Sequence, residues 1–106
     1  MESFSTRCLF EWAPREGQKK SHLYEERITL WQAESIDDAI EMGEREAHAY
    51  AGDSSTYLGL CQSYWLADPV PVTGVEVFSL LRESDLEPEA YIDTFFDNGD
   101  EHQRSD

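Results

Sequence analysis

Positive charge is scarce in this chain of 106 residues: 8 Lys and Arg stand against 23 Asp and Glu, for a formal net charge of −15. Such a surface repels phosphates, so direct binding to DNA, RNA or an anionic membrane is not expected, whereas a basic protein partner would be attracted. Cysteine is nearly absent too. Cys8 and Cys61 lie far apart with no Cys-x-x-Cys spacing, which gives no disulfide framework and no zinc motif. We read them as small buried apolar residues, with a redox or metal pair as the lesser reading. No apolar run approaches the roughly 20 residues that would span a bilayer. The start, Met1 to Arg7, lacks the basic and apolar stretches of a signal peptide, so a cytoplasmic location is expected.

Catalytic motifs are missing as well. The sequence holds no Gly-rich phosphate loop, no His-Glu-x-x-His helix, no Gly-x-Ser-x-Gly elbow and no EF-hand. His22, His48 and His102 are dispersed and read as solvated surface residues. Asp97-Asn98-Gly99-Asp100 lacks the further ligands of a calcium loop. The reading is of a non-enzyme with no catalytic residue, no metal and no cofactor.

What is present is enough apolar residue, 40%, to build one modest core. Alternation predicts a half-buried strand over Phe4 to Trp12. A loop containing Pro14, Gly17 and the only two lysines, Lys19 and Lys20, separates it from a second strand over His22 to Ala33. That second strand is apolar on both faces, as a central strand would be. Ser35 is a fitting N-cap, with Asp38 at the third helical position, for a helix whose stripe is Ile36, Ala39, Ile40, Gly43, Ala47 and Tyr50. Gly43 within the stripe implies close approach to the sheet. Strands follow over Tyr57 to Leu66 and Val75 to Arg82. Pro88 then opens a second helix faced by Tyr91, Ile92, Phe95 and Phe96, with Leu86 as a staple. The expectation is one α+β domain over residues 1–96, in ββαββα order, followed by a polar tail over 97–106. Two hairpins would form a four-stranded, mainly antiparallel sheet with both helices on one face, a two-layer sandwich.

Three segments carry a resemblance: Leu23-Tyr24-Glu25-Glu26-Arg27-Ile28, the run Gly74-Val75-Glu76-Val77-Phe78-Ser79-Leu80-Leu81-Arg82-Glu83-Ser84-Asp85-Leu86, and Pro88-Glu89-Ala90-Tyr91-Ile92-Asp93-Thr94-Phe95-Phe96. From about Thr6 to Phe96 the chain resembles a bacterial family catalogued as domain of unknown function 4288. The resemblance implies a fold and no activity.

The polar clusters inside those segments, Tyr24, Glu25, Glu26 and Arg27 with Arg82, Glu83 and Asp85, are the candidate binding residues. Their plainer reading is as ion pairs and caps that fix loops, including a local pair of Arg27 with Glu25 on one strand face. The leading functional expectation is a small acidic interaction domain that engages a basic protein, as immunity proteins and antitoxins do. An alternative is a small-molecule or enzymatic domain whose anion site is built from Arg7, Arg27 and Arg82. A third is self-association, as a homo-dimer, through apolar surface on the third strand.

Overall fold

The computed structural model describes residues 1–96 together with the short strand Gln103–Arg104; the tail expected over 97–106 otherwise lies outside the described residues. The elements are β1 (Glu2–Trp12), β2 (His22–Ala33), α1 (Ile36–Ala51), β3 (Ser55–Leu66), β4 (Val75–Ser84), α2 (Pro88–Phe95) and β5 (Gln103–Arg104). All strand pairs are antiparallel, in the order β4-β2-β1-β3-β5. The α+β class, the four main strands and their alternation with two helices are as the sequence reads.

Two features differ. β3 and β4 do not form a hairpin: they lie on opposite sides of the central β1–β2 pair. The connection between them, rich in proline, crosses the sheet end and is tied down there. Val70 N–H donates to Ser3 Oγ at 2.9 Å, Gln32 Nε2 donates to the Val70 carbonyl at 2.5 Å, and Gly74 N–H donates to the Leu30 carbonyl at 2.7 Å. The helices, moreover, occupy opposite faces, so the architecture is helix, sheet, helix rather than two layers. The cause lies in the strands, which are apolar on both sides. Cys8, Phe10 and Cys61 pack against Ile40, Ala47 and Ala51 of α1, while Leu9, Tyr24 and Leu60 pack against Tyr91 of α2 and Phe96 just beyond it.

Local rules explain how α1 docks. Ser35 Oγ accepts from Asp38 N–H at 3.1 Å, so one of the helix's orphan donors is satisfied. Gly43 faces Thr6, whose Cγ2 would lie 2.7 Å from a Cβ at that position. Any side chain there would push the helix off β1. A wide bulge interrupts β3: between the pairs Cys8↔Cys61 and Phe10↔Tyr57, Leu58, Gly59 and Leu60 stand opposite the single residue Leu9. Gly59 takes φ +81° there, which favours glycine. The two extra residues preserve the alternation of faces, so Tyr57 and Cys61 both still point toward α1.

Candidate functional site

β2 divides the candidate residues between the two faces of the sheet, because successive strand residues point opposite ways. Under α2, the buried Glu26 receives Arg7 Nη2 at 2.7 Å, Tyr91 OH at 2.8 Å and Arg82 Nη1 at 3.5 Å. Phe96 lies 3.7 Å beneath the Arg7 guanidinium, and Phe95 lies 4.1 Å beneath that of Arg82. Burial first, and then the bond to Glu26, push the Tyr91 phenol well above its usual range. It therefore remains a donor.

Under α1, the neighbouring glutamate is bound in a different way. Glu25, 2% exposed, accepts from Trp12 Nε1 at 2.9 Å, from Tyr50 OH at 2.9 Å and from Ser79 Oγ. Burial and then this carboxylate raise Tyr50 to about 12. The expected Arg27–Glu25 pair does not form, because Arg27 is drawn to two other carboxylates. It bonds Glu46 of α1 at 2.5 and 2.9 Å and Glu76 of β4 at 2.5 Å, with its guanidinium stacked 3.7 Å from the Tyr50 ring. Burial opposes the Arg27 charge, but bonds to Glu46 and Glu76 outweigh it and raise its pKa.

The anion site expected from Arg7, Arg27 and Arg82 is thereby corrected. Arg7 and Arg82 share the α2 face, Arg27 lies on the other, and each is committed to a carboxylate. The remaining candidates act as clamps. Tyr24 OH donates to the Leu86 carbonyl at 2.6 Å, so Leu86, a side chain on the surface, contributes its backbone rather than a staple. Glu83 accepts from the N–H groups of Lys19 and Lys20 at 2.9 and 3.2 Å. Asp85 accepts from Ser21 N–H and Oγ at 2.9 and 3.1 Å, bonds that hold its pKa below the usual value. His22 is not a free surface residue either: its Nδ1 lies 2.5 Å from Glu11 Oε2, and that hydrogen bond, against the effect of burial, raises its pKa.

These groups are internally satisfied; among the described residues no buried side-chain polar atom lacks a partner. Nor does any group of three His, Cys, Asp or Glu among them suit a metal ion. Surface depressions of about 160, 200 and 310 Å³ are lined without an Arg, Lys, His, Cys or Tyr. No described helix is long and apolar enough to cross a membrane.

The surface with unspent capacity is β4, which the sequence reading treated only as another strand. It ends the sheet, with no described strand beyond it. Val77, Phe78 and Leu81 are 53%, 47% and 46% exposed, and Val75 is 42% exposed. The bulge at Val77 leaves an unbroken ladder of seven residues, Phe78 to Ser84, paired with β2 on the inner side. Apolar residues on both faces beside two prolines, Pro69 and Pro71, were the available signal. No protein-family model, curated protein or solved structure matches this chain.

Proposed function

We propose that this domain is a protein-binding module that receives an extended, basic segment of a partner along the outer edge of β4. The observation that carries this reading is an edge strand with exposed apolar residues that no described element covers, while the described buried polar side chains are all satisfied. Edge strands offer unpaired backbone donors and acceptors, and such edges are usually blunted by charge or by cover. Here Glu76, Ser79 and Arg82 interrupt the apolar residues of Val75 to Arg82, and all three bond to partners inside the molecule. The charge decides the kind of occupant. A second copy would bring another −15, whereas a strand alternating Lys or Arg with Val, Ile or Leu would gain from long-range attraction. The unbroken ladder sets the length recognised, about seven residues.

Calorimetric titration with a seven-residue peptide alternating Lys and Val, and with its Glu counterpart, tests this at about 20 and about 300 mM salt. The basic peptide should bind, weaken at least tenfold in the higher salt, and lose binding to the Phe78→Lys/Leu81→Lys double variant. Equal binding of both peptides, or indifference to the double variant, would overturn the proposal. Concentration-dependent dimerisation that the same variant abolishes would assign the edge to a second copy instead.

A further inference from the structure

Cys8 and Cys61, 53 positions apart in sequence, are directly opposed partners in the β1–β3 ladder. Opposed antiparallel residues have Cα atoms about 4.5–5.5 Å apart, within the roughly 4.4–6.8 Å that a disulfide spans. The pair two positions along the same face, Thr6 and Ser63, occupies an equivalent place in the pleat, and there the side-chain oxygens meet at 3.1 Å. Both cysteines are free and buried, under Ile40 of α1. The Cys61 thiol is raised far above its ordinary value, first by its hydrogen bond with Cys8 and then by burial. The bulge of Leu58 to Leu60 begins directly beside the pair, so the ladder between β1 and β3 is interrupted there.

We propose that Cys8 and Cys61 are a redox modification site that closes into an intramolecular cross-strand disulfide, with a low-molecular-weight disulfide such as oxidised glutathione as the oxidant. One cysteine thiolate attacks a sulfur of the oxidant and expels one thiol. The second thiolate attacks the resulting mixed disulfide and expels the other thiol. The two protons released by the cysteines end on the two departing thiols, and the oxidant is reduced by two electrons. The closed bond would fasten β1 to β3 beside the bulge, joining the two halves of the chain.

The test is refolding of the reduced, unfolded chain in oxidised glutathione, where access to the thiols is not limiting. Expected are loss of both free thiols, a mass lower by two hydrogens with no glutathione adduct, no covalent dimer, and a melting temperature higher by roughly 10 °C. Reductant should reverse each change. Cys61→Ser should give no rise in melting temperature under the same conditions. A folded chain that keeps both thiols, carries two glutathione adducts, or cross-links between molecules would overturn the assignment.

Discussion

The adjacent residues Glu25 and Glu26 show how one strand position can reverse a carboxylate's circumstances. Glu26 is held by two guanidinium groups and a phenol; Glu25 is held by an indole, a phenol and a hydroxyl, all neutral. Replacing Glu25 with Leu would remove the acceptor shared by the half-buried Trp12 and Tyr50 and the exposed Ser79. We expect Glu25→Leu to cost about 1–3 kcal/mol in urea unfolding, since the two half-buried donors lose a bond to a charged group. A change within 0.5 kcal/mol of wild type, the ordinary size of a surface substitution, would contradict the network. His22 gives a pH dependence of defined sign. Its folded pKa is raised by Glu11, so its stabilisation is fully present below the unfolded value of about 6.5 and is lost as pH rises through the folded value. The stability gap between wild type and His22→Gln should therefore be larger near pH 6 than near pH 9, as read from denaturant midpoints. Burial of Cys8 and Cys61 was legible from residue type alone; their opposition was not, because it depends on which strands pair across 53 positions.

Among the elements, α1 was the most legible. Its cap, its stripe and the purpose of Gly43 all follow from local sequence: Ala39, Ile40, Gly43 and Ala47 of the stripe are buried together with Ala51, while Ile36 and Tyr50 are half-buried. Ile40→Ala should cost about 2–5 kcal/mol through lost burial and a cavity beneath the helix. If stability were untouched, α1 would dock by another face. The strands were legible as strands, but their order was not, since alternation fixes faces and says nothing of neighbours. The Pro69–Pro71 link read as a turn region, and the structure uses it to carry the chain from one sheet edge to the other. That displacement leaves β4 as an edge and its apolar residues in solvent. The proposed edge was for the same reason not legible, and the candidates Tyr24, Glu25, Glu26, Arg27, Arg82, Glu83 and Asp85 make bonds within the molecule. The exposed strand carries apolar residues, Val75, Val77, Phe78 and Leu81, that sequence alone assigns to a core.

At the scale of the whole molecule, 15 excess negative charges sit on a body with a radius of gyration of 14.0 Å. The Debye length shrinks from about 30 Å at 0.01 M to about 8 Å at 0.15 M, below the molecule's width, so salt should relieve self-repulsion. The melting temperature of the free protein should rise over that range, and a bound basic segment should reduce the rise by neutralising the same field. A melting temperature flat in salt would mean that the charges are already balanced locally, and the preference for a basic partner would lose its basis. The claim that this partner lies along β4 is tested most directly by amide hydrogen exchange, with and without the alternating Lys–Val peptide at saturation. Backbone amides between Phe78 and Ser84 that face away from β2 should exchange more slowly with peptide bound, while the α1 amides stay unchanged. Slowed exchange on α1 or β3, with the Phe78 to Ser84 amides unaltered, would contradict it.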